Sequence, residues 1–553
     1  MRPRRLTLLL AATAAAGPLL AAPGATAKTF ATPEVDGAVQ VTQDAGAARG
    51  HATPALAVHP DDPNTLVVAE SDAYSSRCMV HVSRNGGLTW SPATQPTTPP
   101  DWQGCGFAVT GPMADLEFDR DGNLHYTWSA FQPTTYQQRI YHARSTDLGL
   151  TWDVSALPRI GPDPAQRQYG ADTMPQMVVD RDNPSRIYVA WWSNNGIWNQ
   201  PGLITSSESS VWCRLTDNRA LARPWVATSS DGGRTWSQPV DMAPGVQHCT
   251  TEPYLAQAKD GRLLAFFGES TRSLEEGKAP AAHVFFSETK DLGKTFTARP
   301  IYEQDGNPAT PTSTSDWLGS VTTGVDAKTG NIYVAWENMG AGSPRVMFMR
   351  STDDGRTFSQ ALKVNDADSK RDWDFPEMFP TMGVAPNGRV DIAWYDYRND
   401  AGWKDDDRRA TFQDVYYAFS TDGGQTFSKN IRVNDRAIDR RFGPKLGSII
   451  GPMGVASTDK VTFIAWDDTR NGNTTTAAQD IYFTRLRYTP AGEAFGGGGD
   501  TGTSPWVAGL LGAAVALAVG GLILVIGMQA SRKKTPTLDK PAAAPTTKEP
   551  TVT

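Results

Sequence analysis

One short pattern recurs six times along the chain, each copy ending in an aromatic residue. The copies read SRNGGLTW (83–90), STDLGLTW (145–152), SSDGGRTW (229–236), TKDLGKTF (289–296), STDDGRTF (351–358) and STDGGQTF (420–427). Their common form is Ser/Thr-x-Asp-x-Gly-x-Thr-Trp/Phe, with Asn85 in the aspartate position of the first copy. Self-similarity at a long, regular period signals an array of one supersecondary unit that buries its apolar faces only against its neighbours. The 553 residues therefore need not mean several domains.

The chemistry of the pattern is that of a turn. A carboxylate can accept hydrogen bonds from the turn's own amides. Glycine takes a backbone conformation closed to residues with a Cβ, and the threonine and the aromatic begin an outgoing strand. Asp147, Asp231, Asp291, Asp353 and Asp422, with Asn85, are thus read as structural residues. A second repeat precedes the first: LHYTW (124–128), IYVAW (187–191), LLAFF (263–267), IYVAW (332–336), VDIAW (390–394) and TFIAW (462–466), with LVVA (66–69) a weaker seventh. Each follows a polar hairpin turn and an earlier apolar strand. The unit is a blade of four antiparallel strands, A to D, as in TMGVA, VDIAW, DVYYAFS and NIRVND.

The six-fold motif resembles the Asp-box, or bacterial neuraminidase repeat, of the sialidase-like superfamily, over roughly residues 30–490. The expected fold is an all-β, seven-bladed β-propeller of four-stranded antiparallel blades, with a six-bladed ring as the alternative. The last blade has no Asp-box and no fourth strand. AVQVTQDAG (38–46) looks like the fourth strands LKVNDAD and IRVNDRA, so the N-terminal strand is expected to complete it and close the ring.

Both ends read as targeting segments. Residues 1–27 carry Arg2, Arg4 and Arg5, an apolar run and Ala25-Thr26-Ala27, the pattern of a cleaved secretory signal. After the ectodomain (28–490) and a Gly-rich linker (491–504), residues 505–529 form an apolar stretch with no charge, expected to be a transmembrane helix. Arg532, Lys533 and Lys534 follow it, which puts a disordered tail (530–553) in the cytoplasm and the propeller outside. The chain is formally −7; the leader holds three arginines and no acid, and the tail five Lys/Arg against two Asp/Glu. The ectodomain is left near −13, which argues against nucleic acid as a partner but allows a local basic pocket. Four cysteines in an exported chain suggest disulfides; the spacing and the blade map favour Cys78–Cys105 and Cys213–Cys249, each stapling loops on the face opposite the Asp-boxes.

That open face, made by the B–C and D–A loops, is where a propeller ligand is expected. Trp198 and Trp212 lie in its longest loop and suit sugar rings or self-packing. WYDYRN (394–399) and WDDTRN (466–471) place Asp396 with Asp468 and Arg398 with Arg470, either as a polar ligand site at the central mouth or as Asp–Arg pairs tying blades together. Glu337 and Glu269 sit at nearby strand ends. The resemblance implies three arginines, a Tyr–Glu nucleophile pair and an Asp acid/base if the chain is a sialidase. Arg398, Arg470, Tyr395 or Tyr397, and Glu337 or Glu377 are the weak candidates, and the family's Arg-Ile-Pro motif is missing. No cofactor is expected. Calcium on the acidic run Asp366, Asp368, Asp372 and Asp374 is a weak candidate, since the run lacks the glycine and spacing of an EF-hand loop. The expected function is a surface-displayed propeller that binds a carbohydrate or cell-surface protein ligand without catalysis; the alternative is an exo-sialidase or related glycoside hydrolase.

Overall fold

Strand B of most blades is rich in aliphatic and aromatic residues, and in blades 5 and 6 it is covered on both sides. The reason is packing: Ile332–Asn338 and Val390–Asp396 are buried at every position, because a neighbouring sheet covers each side. The computed structural model describes residues 32–44, 46, 49–105, 114–134, 138–160, 171–194, 222–246, 249–270, 282–304, 318–338, 345–367, 378–400, 412–444 and 451–489. They form seven antiparallel sheets, so the ring has seven blades and not six.

Blade 2 shows the pattern: strands A to D are Ala114–Phe118, Leu124–Phe131, Gln138–Ser145 and Asp153–Ala156. The strands A of the seven blades touch one another in sequence and the last returns to the first, so they line the axis of a closed ring. Blade 1 (His51–Val58, Leu66–Asp72, Arg77–Ser83) departs from four strands, its fourth being reduced to a bridge between Val80 and Thr94. Among the described residues the sole helical turn is a 3-10 turn at Arg440–Phe442, and none is long and apolar enough to cross a membrane. The leader, the linker, the apolar span 505–529 and the tail lie outside the described residues.

The core is a set of seams between blades. Ala57, Val67 and Val80 of blade 1 pack with Leu116, Tyr126 and Trp128 of blade 2, and corresponding clusters fill the later seams. The seventh seam joins Ile481 and Phe483 of the last blade to Leu56, Leu66 and Val68 of the first. Five strand-B tryptophans, Trp128, Trp191, Trp336, Trp394 and Trp466, are fully buried.

Blade 7 has Gly454–Ser457, Val461–Asp468 and Asp480–Arg487 as strands A to C. Its fourth strand comes from the other end of the chain, as Glu34–Val35 and Val39–Gln40 both pair with Asp480–Arg487. Between those two short pairings Asp36 accepts hydrogen bonds from Arg485 Nε (2.7 Å) and Arg487 Nε (2.8 Å). Asp36→Ala would strip Arg485 of its carboxylate and leave Arg487 with Glu34 alone (3.1 Å) at the closing joint. A loss of about 1 to 3 kcal/mol of stability is expected for such charge-assisted bonds, read as a lower midpoint in denaturant unfolding, with Asp36→Asn intermediate.

Candidate functional site

Alternating strand direction sorts the connections onto two faces. The Asp-boxes share one face with the A–B turns, as shown by Gly232 N–H donating to Ser185 C=O (2.9 Å) and Gly86 N–H to Asn64 C=O (2.8 Å). Within each box the aspartate is saturated by its own turn. Asp231 Oδ1 accepts from Ser229 Oγ (2.8 Å) and Thr235 N–H (2.9 Å), and Oδ2 from Thr235 Oγ1 (2.6 Å). The other four aspartates repeat this set. Asn85 keeps the geometry with one bond reversed: its Nδ2 donates to Thr89 Oγ1 (2.9 Å). The boxes are structural turns, as the sequence suggests, and they do more. A Cβ on Gly87 would sit 2.0 Å from the Phe483 ring of blade 7, and one on Gly233 2.1 Å from the His142 ring of blade 2. The glycine thus seats each box against the preceding blade, and the box aromatic follows it: Trp90 meets Phe483 at 5.1 Å, Phe358 meets Phe286 at 5.7 Å and Phe427 meets Phe348 at 4.9 Å.

The paired WxDxRN segments fold outward over strands C and D. Asp396 accepts from Trp394 Nε1 (3.0 Å) and Arg398 Nη2 (2.6 Å); Asp468 accepts from Trp466 Nε1 (3.1 Å) and Arg470 Nη2 (2.8 Å). Arg398 lies 3.9 Å over the Tyr416 ring and pairs with Asp366 of blade 5 (2.7 Å). Arg470 lies 4.1 Å over Tyr482 and pairs with Asp435 of blade 6 (2.9 Å). Asn399 and Asn471 complete the cassette on Asp414 and Asp480 (2.8 and 2.9 Å). Of the two readings of this repeat, the geometry is that of blade-to-blade ties and not of groups turned into the central mouth.

The residue directly after the strand-B tryptophan makes a second kind of tie, which the sequence reading missed. Ser129 Oγ donates to Asp172 C=O (2.9 Å), Trp192 Nε1 to Thr250 C=O (2.8 Å), Glu337 Oε1 accepts Met378 N–H (2.9 Å), and Tyr395 OH donates to Asp467. Each reaches forward into the next blade. A polar residue breaking an otherwise apolar strand was the available signal. Tyr395 is fully buried, and its Asp467 partner also holds Arg440; burial and the Asp467 charge push the phenol well above its usual range. Tyr397 OH accepts from Gln413. Glu269 lies on strand B of blade 4, its backbone opposite Thr250 and His283.

Cys78 and Cys105 are bonded, with Cα atoms 5.0 Å apart, joining blade 1 to the short pairing Gln103–Gly104 on blade 2. Cys249 stands on a short strand of blade 4, whereas Cys213, Trp198, Trp212, Glu377, Asp368, Asp372 and Asp374 lie outside the described residues. Asp366, of the acidic run, is the carboxylate that pairs with Arg398. Among the described residues no three His, Cys, Asp or Glu side chains are grouped to hold a metal ion.

Carboxyl groups stand at two places along the innermost strands. Asp115 and Glu117 occupy one face of the innermost strand of blade 2 and are half-buried. They cap edge donors of blade 3: Met177 N–H to Asp115 (2.7 Å) and Val179 N–H to Glu117 (2.9 Å). Burial pushes Asp115 up to about 6 and Glu117 up to about 8, against those amide bonds, which pull the other way. Glu252, where blade 4 enters the axis, is also raised by burial and accepts from Ser320 Oγ of blade 5 (3.2 Å). Thr53, Met174 and Phe379 take positive φ (53°, 56° and 44°), each directly before a proline at the start of a strand A. With Glu252-Pro253 they form a second recurrent element, an x-Pro step at the entry to strand A.

No family model matches the sequence, and no curated protein sequence matches it. Solved structures with a similar fold include an α-L-arabinofuranosidase of Fusarium graminearum in complex with an iminosugar inhibitor (15% identity, 65% of this chain and 92% of that chain, TM-score 0.42). A Hadza microbial sialidase aligns at 14% identity over 76% of this chain and 73% of its own, with a TM-score of 0.42. The endosialidase of phage phi92 aligns at 11% identity over 85% and 72%, with a TM-score of 0.45.

Two pH effects of opposite sign follow. The Thr235 hydroxyl holds Asp231 down at about 2, below the ordinary 3.8, so its contribution is full above pH 3.8 and is lost as the pH falls through 2. Asp231→Asn, arranged as Asn85 already is, should fold and should lose less stability between pH 4 and 2 than the parent in acid unfolding. Glu117 is raised from 4.5, so its ionised form is the unfavourable one and stability declines as pH rises from 4.5 through about 8. Glu117→Gln keeps an acceptor for Val179 and should melt higher than the parent at pH 8.5, with the difference gone at pH 4.

Proposed function

We propose that this chain is a cell-surface carbohydrate-binding propeller that takes its ligand at the axial mouth of the open face, without cleaving it. One observation carries the reading. The arginines, tyrosine and glutamate best suited to a sialidase-type reaction by sequence, Arg398, Arg470, Tyr395 and Glu337, are all engaged in holding blades together. Tyr395 is fully buried, so its phenol has no open path to an anomeric carbon, and a guanidinium stacked on a ring between two carboxylates has few donors left for a substrate. The mouth keeps Glu252, a carboxyl group set just before an innermost strand at the end where the D–A loops enter, with loops around it free to vary. A leader at 1–27 and an apolar span at 505–529 would display this face outside the cell, membrane-anchored, where glycans or cell-surface proteins are met.

A second reading has one observation in its favour. Glu252 has a raised proton affinity at the axis, a property of general acids in glycoside hydrolysis. The two readings separate in one experiment. The full-length protein is applied to a glycan array and incubated with a fluorogenic sialoside and a fluorogenic arabinofuranoside. Binding that falls at least about 10-fold in Glu252→Gln, with no turnover of either substrate, is expected for a binder. Turnover abolished by Glu252→Gln, or by Arg398→Ala in a variant that still folds, establishes the hydrolase instead.

A further inference from the structure

We propose that the cleft between the ring-closing segment and the outer half of blade 1 is a second ligand site, for a saccharide unit that bears a carboxylate. The cavity measures about 540 Å³, and Asp44, Arg49, Arg77, Met79, Thr94 and Gln95 line it. That volume suits a sugar unit. The cleft is distinct from the axial mouth. Asp44 and Arg49 belong to the crossing from the outer strand of blade 7 to the inner strand of blade 1. Arg77 and Met79 lie on strand C of blade 1, and Thr94 and Gln95 on the segment beyond its Asp-box.

The two arginines are in different states. Arg49 is held by Asp480, through Nε at 2.9 Å and Nη2 at 3.0 Å, and its side chain is 15% exposed. Arg77 is exposed, and among the described residues it enters no ion pair and no side-chain hydrogen bond. An unpaired guanidinium on a wall of a cavity, beside a second whose position is fixed, is suited to a forked pair of bonds to a carboxylate.

The remaining lining decides what else the ligand carries. The Asp44 carboxylate is partly exposed on the cleft wall and lies 3.2 Å from the buried His51 Nε2, and His51 lies 3.0 Å from Glu70. A bare sulfate would meet Arg77 but has no hydroxyl to donate to Asp44. A hydroxylated acid satisfies both: its carboxylate takes Arg77 and its hydroxyls donate to Asp44 and exchange bonds with the Gln95 amide and Thr94 hydroxyl. Met79 offers an apolar, polarizable surface for the C–H face of a sugar ring. The inference rests on carbohydrates being the ligands of this propeller, and it adds a subsite some distance from the mouth that selects for acidic units.

Saturation-transfer NMR on the full-length protein tests it, with glucuronate and N-acetylneuraminate as acidic probes, glucose as the neutral one and inorganic sulfate as competitor. Transfer to at least one acidic sugar is expected, with at most about a tenth of that signal for glucose, little competition from sulfate, and loss of the acidic signal in Arg77→Ala and in Gln95→Ala. Arg77 is exposed, so its removal should leave the melting temperature unchanged. Array binding that depends on Glu252 should survive Arg77→Ala. An acidic-sugar signal that persists in Arg77→Ala, equal transfer to glucose, or no transfer to any sugar overturns the subsite. Loss of array binding in Glu252→Gln together with an intact Arg77-dependent signal separates the two sites. An Arg77-dependent signal with no array binding at all leaves the subsite standing and removes the mouth.

Discussion

The joint between residues 34–40 and 480–487 is the constraint on which the rest of the molecule depends. A four-stranded blade has two apolar faces and can bury them only between two neighbours. Six seams would leave the first and last blades each with a bare face, and blade 7 with a bare edge as well. Pairing Val39 and Gln40 with Phe483 and Tyr482 supplies the missing strand from the opposite end of the chain. The seam that forms there brings Val41, Ile481 and Phe483 against Leu56, Leu66 and Trp90. Asp36, set between Arg485 and Arg487, fastens the joint where the two short pairings leave a gap.

Once the ring is closed, three sets of contacts hold the blades in register, and they run in definite directions. Each Asp-box glycine and aromatic reaches back to the preceding blade. Ser129, Trp192, Glu337 and Tyr395 reach forward from strand B to the next. Arg398 and Arg470 reach back to the outer strands of blades 5 and 6. Because the groups of the last two sets are charged or hydrogen-bonded and partly or fully buried, removing one partner strands the other, which makes their identity a matter of register as much as of energy. Several of the polar residues that stand out in the sequence thus have a structural role.

This division of labour bears on function. An axis lined by Asp115, Glu117 and Glu252, whose carboxyls burial keeps protonated more readily than usual, is chemically unlike the outer cleft of Arg49 and Arg77. On the proposed reading, the first would serve neutral hydroxylated ligands and the second an anion that also carries hydroxyls. A propeller can combine such sites because each blade holds its loops on an independent sheet.

The sequence by itself determined the repeat, the strand order within a blade, the closure by the N-terminal strand and one disulfide, Cys78–Cys105. All of these follow from local rules: turn chemistry in STDGGQTF, apolar runs such as IYVAW, and the likeness of AVQVTQDAG to IRVNDRA. Tertiary structure decided what those residues touch. Nothing in the spacing of WYDYRN tells whether Arg398 turns toward the axis or out to Asp366, because that depends on where blade 5 stands. The same holds for Gly87, legible as a turn former but not as a seat for Phe483, and for Glu337, whose partner is a backbone amide some forty residues onward in another sheet. Arg77 and Asp44 share a cleft only because the ring closes between them. Local patterns fix the units, and the packing of unit on unit fixes which side chains remain available for chemistry.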